Sequence, residues 1–249
     1  MTAHYSRDKV LLDVYNRTHQ DVHTRTMCEV FGGHSYDEAV VILEDYGHKL
    51  HEELDQQRKV AKMTNFLIIY GGNAKTLAAR ISTPEKVYTE AECKQFMRNY
   101  FDRLKGVRRW ITRTKMGLRE TGWVQNHFGR YRRFPDLLKL LKRSYQGGDT
   151  KWKIERAERQ AVNFLIQGSC ADLFKIAMVR AHAALRGMRS EVIMPIHDEL
   201  VFYWHLDEID HLGSVKTKME DFNFAIPMTV DVSYSTTNWA GKKELKLAS

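Results

Sequence analysis

The chain has 249 residues, 43% of them hydrophobic and 28% charged, with a net charge of +8 at pH 7, a balance that excludes a disordered or collagen-like chain and leaves room for one to two domains with a sizeable core. Mean hydropathy is −0.49, and no apolar run approaches the ~20 residues of a membrane span. The first eight residues form no apolar leader, and Cys28, Cys93 and Cys170 are too widely spaced for a disulfide framework or a zinc site, so the expectation is a cytoplasmic chain that is not secreted and has no membrane partner.

In chain order, apolar spacing predicts a helix over 7–31, an amphipathic helix over 37–57 and a third helix from about 57 to 70, stopped by Gly71-Gly72. Asn73 is placed to cap a short helix through Arg80, and Thr89-Glu90-Ala91-Glu92 to start another that continues to about Leu118. Residues 122–131 read as a hairpin, and a long helix follows over 150–185. Two apolar runs, 192–196 and 200–204, flank a polar tip, which is a hairpin pattern. Helix resumes over 206–222, and 228–233 reads as a last strand. The sum is α+β: a mostly helical first part, then helices packed on a small antiparallel sheet.

Charge is unevenly spread. Residues 103–119 carry seven cations, among them Arg108, Arg109 and Arg113, and residues 130–143 carry six, interleaved with Tyr131, Phe134 and leucines. On charge alone, a solvated helix face with a charged hairpin and a phosphate-contacting surface stand level.

Three clusters carry chemistry. Arg58, Lys62, Phe66 and Tyr70 are spaced by four. Each such step on a helix turns only ~40° and rises ~6 Å, so the four form one stripe: two cations, a ring, then a tyrosine at the helix end. That order matches the phosphates, sugar and base of a nucleotide, with Arg offering a fork and Lys a point charge. Spacing alone favours an amphipathic helix with Phe66 and Tyr70 in the core and the cations snorkelling outward. At the second cluster, Ile196-His197-Asp198-Glu199-Leu200 sets two adjacent acids at a hairpin tip. That is either a plain turn or an anchor for Mg²⁺, an ion that takes one or two carboxylates plus phosphate oxygens. At the third, Arg159, Asn163 and Gln167 again repeat by four. Such a polar stripe either faces solvent or donates to the minor-groove acceptors shared by all base pairs.

Taken together these segments resemble the family A DNA polymerases. Residues 58–71 resemble the fingers helix R-x-x-x-K-x-x-N-F-x-x-x-Y-G, matching at Arg58, Lys62, Asn65, Phe66, Tyr70 and Gly71. Residues 197–199 resemble the palm motif V-H-D-E, 158–172 the segment E-R-x-x-x-N-x-x-x-Q-G-x-x-A-D, 128–137 the hairpin F-G-R-R-R-x-x-P-D-L, and 230–233 the last palm strand. The resemblance implies a fingers region with its entry helices over 1–121 and the C-terminal part of a palm over 122–249. It implies template-directed nucleotidyl transfer from a dNTP to a primer 3′-hydroxyl with two Mg²⁺ ions. By the same resemblance Asp198 is a catalytic metal ligand and Glu199 a secondary acid. Lys62, Arg58 and His23 hold the triphosphate, Phe66 packs on the nucleotide and Tyr70 guards the templating base. Arg130, Arg159, Asn163, Gln167 and His197 contact primer-template DNA.

One motif is missing. The family's D-Y-S-x-x-E-L, which supplies the first catalytic aspartate, does not occur. Ala3-His4-Tyr5-Ser6-Arg7-Asp8 resembles the L-A-H-x-S-x-D segment that follows it, and Asp21-Val22-His23-Thr24 resembles D-I-H-T further on. The expectation is therefore a C-terminal subunit or fragment of a split, phage-type polymerase, active with a partner chain that carries D-Y-S-x-x-E-L and the thumb. Two other readings compete with this one. Asn65-Phe66 and His197-Asp198-Glu199 favour the DNA enzyme over a single-subunit RNA polymerase fragment, and the intact Arg58, Lys62, Phe66, Tyr70 and Asp198 argue against a non-catalytic DNA-binding remnant. The connection over 34–57 is longer than the family's and has no assigned role.

Overall fold

A computed structural model describes residues 1–84, 86–145 and 150–245. They form two compact units, Met1–Ser169 and Cys170–Ser249. This division by compactness is distinct from the one at 121/122 that the sequence resemblance implies. The class is α+β, as the patterning implies.

The first unit opens with α1 (Thr2–Ser6) and α2 (Lys9–Asp13), a π-helical turn over Val14–Thr18, and α3 (Val22–Phe31). The single helix expected over 7–31 thus starts late, at Lys9, and is broken once, at His19–Asp21. Arg7 and His19 are left-handed (φ 49° for both), and Asp8 and Asp21 cap the helices that follow by accepting the N–H groups of Val10 and Thr24. A short acidic side chain that competes for backbone donors ends a helix that apolar spacing alone would continue. The next pair also differs from expectation. α4 (Tyr36–Glu44) starts at a capping box between Ser35 and Glu38, and α5 (His51–Ile69) runs unbroken through 57. Between them Asp45 accepts Gly47 N–H and His48 Nδ1 accepts Leu50 N–H, which turns the chain.

α5 stops at Gly71-Gly72, and Asn73 caps α6 (Ala74–Ile81) as the sequence indicates. α7 (Glu90–Arg103) starts at the Thr89–Glu92 capping box but ends at Leu104, and α8 (Lys105–Thr121) is a separate helix. The break is tertiary in origin. Leu104 gives α8 no side-chain cap; instead the Asp8 carboxylate accepts Gly106 N–H at 2.7 Å. A Cβ at Gly106 would lie 2.7 Å from the Asp8 Cα, so only glycine permits this approach. β1 (Trp123–Gln125) and β2 (Tyr131–Arg133) form the expected hairpin, followed by α9 (Leu137–Tyr145), a helix inside the basic stretch that the sequence pattern does not single out.

The 34-residue α10 (Lys151–Ala184) contains a window long and apolar enough to cross a membrane by length and composition. Uninterrupted apolar runs do not reveal it, because the window tolerates scattered charges. Ala161, Val162, Leu165 and Ile166 of this helix are buried with Trp110, Leu118, Val124 and Leu137. Glu158, also buried, receives Arg119 Nε at 2.6 Å and Lys115 Nζ at 3.3 Å, tying α8 to α10.

In the second unit, Ala181 and Leu185 pack with Val215. β3 (Glu191–Ile196) and β4 (Glu199–Tyr203) pair antiparallel, with a bulge at Ile193. A 3₁₀ turn over Leu206–His211 leads into α11 (Leu212–Glu220). Glu208 accepts the Arg189 and Ser190 N–H groups and the Ser190 hydroxyl; these bonds hold its carboxyl down at about 2. Of the strand expected over 228–233 only the end pairs among the described residues. The Val230 N–H is taken by the Glu220 carboxylate, and the pairing occurs further on, between β5 (Ser233–Tyr234) and β6 (Lys243–Glu244).

Candidate nucleotide site

Helix α5 buries Val60, Ala61, Thr64, Leu67 and Ile68 on one side. Arg58, Lys62, Phe66 and Tyr70 emerge on another, with Phe66 41% and Tyr70 51% exposed. That exposure disposes of the alternative in which the two rings belong to the core. An exposed Phe between a lysine and a tyrosine is a surface waiting for an apolar or stacking partner.

Helix α3 completes this face. His23 lies with its ring 5.7 Å from that of Phe66, and its Nδ1 is 3.2 Å from Asn65 Nδ2; Asn65 also donates to Thr26 Oγ1 at 3.1 Å. Burial lowers the His23 pKa, Asp21 opposes this, and Arg58 and Lys62 lower it further, so the ring is biased to the neutral form. Arg58 is not free. Its Nε donates to Asp21 Oδ2 at 3.1 Å and to Thr24 Oγ1 at 3.0 Å, and its Nη2 is 3.0 Å from the same carboxylate oxygen. Burial pushes the Asp21 carboxyl up, but the Thr24 N–H and hydroxyl and then Arg58 outweigh it and hold it below the usual carboxylate value. Lys62 is exposed and has no acidic partner among the described residues. The cluster therefore presents one unneutralised cation, one neutralised and fixed guanidinium, an imidazole and an aromatic face, a set suited to an anion attached to an apolar ring.

The far end of α5 meets α10. Gln167 Nε2 donates to the Tyr70 hydroxyl at 3.0 Å. Gly71 has φ +66°, and a Cβ there would stand 2.3 Å from Arg159 Cγ. The structure thus brings Tyr70, Arg159 and Gln167 together. Asn163, between the last two on the helix, has its Nδ2 buried without a partner among the described residues. Gly71→Ala is expected to cost about 1–2 kcal/mol from the left-handed backbone alone. The displaced Arg159 would add to that loss, which equilibrium urea unfolding measures. Arg130 is exposed on the β1–β2 hairpin, its N–H accepted by the Asn126 side chain at 2.9 Å.

The acidic motif belongs to the second unit. Ile196 pairs with Glu199, so His197 and Asp198 form a two-residue turn. His197 has φ +54°, a conformation such turns normally reserve for glycine, asparagine or aspartate. Backbone held this way at an exposed tip is the kind of strain found at functional sites. His197, Asp198 and Glu199 are all exposed, and Glu199 accepts Lys242 Nζ at 3.0 Å. Asp198 is the acid of the pair with no cation partner among the described residues, and no group of three His, Cys, Asp or Glu there could hold a metal ion alone. Of the two acids, Asp198 is therefore the carboxylate left open to a cation. Glu199, already paired, is the poorer ligand.

The D-I-H-T resemblance picks out Asp21 and Thr24 but not their role, nor Thr26: Asp21 and Thr24 anchor Arg58, and Thr26 anchors Asn65. The available signal was Asp21 three residues ahead of Thr24, an N-cap pattern.

Comparison with known proteins accords with these features. The sequence model of DNA polymerase family A matches residues 1–241, and the chain belongs to that family. It is 34% identical over 244 residues to the thermostable DNA polymerase I of Thermus filiformis, covering 97% of this chain and 26% of that protein. It is 30% identical over 244 residues to DNA polymerase I of Lactococcus lactis subsp. lactis, covering 96% of this chain and 24% of that one. The chain thus spans about a quarter of the length of these relatives. Among solved structures, the polymerase domain of Pol1 from M. smegmatis, in complex with DNA primer-template and dNTP, superposes with a TM-score of 0.73 at 29% identity, covering 91% of this chain and 35% of that one.

Proposed function

We propose that the chain supplies the fingers and the C-terminal palm of a DNA-directed DNA polymerase, with the two regions dividing near residue 121. The reaction is attack of a primer 3′-hydroxyl on the α-phosphate of a dNTP, with pyrophosphate leaving. The observation that carries this reading is the exposed stripe of Lys62, Phe66 and Tyr70 with His23 beside it. Lys62 meets the phosphates, Phe66 packs on sugar and base, and Tyr70 stands where the templating base is selected. Arg58, held by Asp21, keeps the α3–α5 face in register for the triphosphate. Arg130, Arg159, Asn163, Gln167 and His197 contact the primer-template. The buried, unpartnered Nδ2 of Asn163 supports a donor role toward a ligand acceptor.

Asp198 would hold Mg²⁺, with Glu199 secondary. Such an ion supplies charge stabilisation at phosphoryl oxygens. Two ions need a second carboxylate, and D-Y-S-x-x-E-L, which brings it in the family, does not occur in these 249 residues. We assign it to a further segment on a partner chain, together with the thumb. β3 and β4 pair only with each other among the described residues and leave Ile193, Met194 and Tyr203 exposed, which supports strand pairing with such a segment.

Primer extension tests the assignment. The chain alone should extend nothing, and adding a polypeptide that bears D-Y-S-x-x-E-L should restore dNTP incorporation in Mg²⁺. Robust extension by the chain alone, lost in Asp198→Asn, would place every metal ligand inside this sequence and overturn the need for a partner.

A further inference from the structure

The two carboxylates at the β3–β4 tip are unequal, and the reason lies 43 residues downstream, where Lys242 places its Nζ 3.0 Å from Glu199 Oε2. An exposed lysine–carboxylate contact is weak by itself, because a free ammonium on a flexible stem has many other positions. This lysine has a seat. Its Nζ stands 3.6 Å from the centroid of the Trp239 ring, so one ammonium is held by an aromatic face and a carboxylate together. The backbone that carries both residues is tied down on each side. Ser235 Oγ accepts the Thr237 and Asn238 N–H groups at 3.2 Å each, and Asn238 Oδ1 accepts Gly241 N–H at 3.1 Å, closing a 3₁₀ turn over Trp239–Gly241. Directly after Lys242, Lys243 pairs with Tyr234 and Glu244 with Ser233 in the β5–β6 ladder. Two adjacent free carboxylates would bind a divalent cation better than one, because affinity rises with the charge of the oxygen ligands. Here Lys242 cancels the charge of Glu199, while Asp198 has no cation partner among the described residues.

We propose that Lys242, seated on Trp239, is a positioning residue for the metal site: it withholds Glu199 and leaves Asp198 as the one carboxylate that the tip presents to a divalent cation. The proposal rests on the reading of Asp198 as a metal ligand. Its consequence is that the tip by itself stays a weak binder. Two freed acids would close on an ion at the tip; one acid holds it loosely, so firm binding waits for the phosphates of the nucleotide and for the second carboxylate assigned to the partner chain.

The test is Mn²⁺ binding by the full chain, read from the electron paramagnetic resonance signal of the free ion, and it needs no catalysis. The share of binding that belongs to the tip is the share that Asp198→Asn removes. Lys242→Met keeps an apolar stem over Trp239 and deletes the charge. It should tighten binding at the tip about fivefold, since two carboxylates are then on offer, with the melting temperature unchanged. Glu199→Gln added to Lys242→Met should return the affinity to that of the unaltered chain, and Lys242→Arg, which keeps the charge, should hold it there. Unchanged or weaker binding in Lys242→Met, or tightening that persists when Glu199→Gln is added, would overturn the positioning role and leave Asp198 as the metal ligand. A lowered melting temperature in Lys242→Met with no change in affinity would make the lysine structural. No effect of Asp198→Asn on Mn²⁺ binding, with or without Lys242→Met, would bring down the reading of Asp198 and this proposal with it.

Discussion

Asp198→Asn, assayed with a polypeptide that supplies D-Y-S-x-x-E-L, should cut nucleotide incorporation by well over the ~10–100-fold typical of losing an outer-shell metal partner. The reason is local. Asp198 sits at the tip of a two-residue turn, exposed and without a cation partner among the described residues, so its charge is available to a metal ion. Asparagine keeps the size and the turn preference and removes only that charge, so the fold and metal-free DNA binding should stay as they are. Glu199→Gln is the internal contrast. Its carboxylate is paired to Lys242 at 3.0 Å, and its loss should cost far less. Incorporation by Asp198→Asn within tenfold of the unaltered protein, or a Glu199→Gln defect as deep as that of Asp198→Asn, would remove Asp198 from the metal site.

Lys62→Ala should slow single-turnover dNTP incorporation by ~10²–10³, the usual loss when a fixed donor to developing transition-state charge is removed. It should leave stability unchanged, because Lys62 is exposed, has no acidic partner among the described residues and is replaced by the best helix former. Arg58→Ala should behave differently. Arg58 links α5 to Asp21 and Thr24 of α3, so its loss should lower the unfolding midpoint as well as the rate. The two variants together separate charge presented to substrate from charge committed to the protein's own architecture. If Lys62→Ala lowered the melting temperature as much as Arg58→Ala, with no change in rate, the lysine would be structural.

What the sequence made legible was local. The Gly71-Gly72 stop, the Asn73 cap, the Thr89–Glu92 box and both hairpins are written in neighbouring residues, and all appear in the fold. The breaks at Asp21 and Leu104 were not, because apolar periodicity continues through them while a side chain takes the backbone donor. Of the strand expected over 228–233 only the end is paired among the described residues, Ser233 with Glu244 and Val232 C=O with Leu245 N–H, while the Glu220 carboxylate takes the Val230 N–H. The same division holds at the site. Period-four spacing found Arg58, Lys62, Phe66 and Tyr70, yet favoured the core for the two rings and could not place them in solvent. Nor could it find Asp21, which meets Arg58 from 37 residues away.

The bond from Asp8 to Gly106 joins residues 98 apart in sequence. The first turn of α8 thus takes one of its caps from the opposite end of the unit rather than from its own flank. Closing so long a loop costs chain entropy before the bond returns anything. A helical domain of this size would ordinarily assemble quickly from neighbouring hairpins; here α8 acquires its start only once the N-terminal helices have arrived. A contact that closes so late adds little to the folding barrier, so deleting the Asp8 carboxylate should chiefly speed unfolding of the unit and leave its folding rate nearly unchanged.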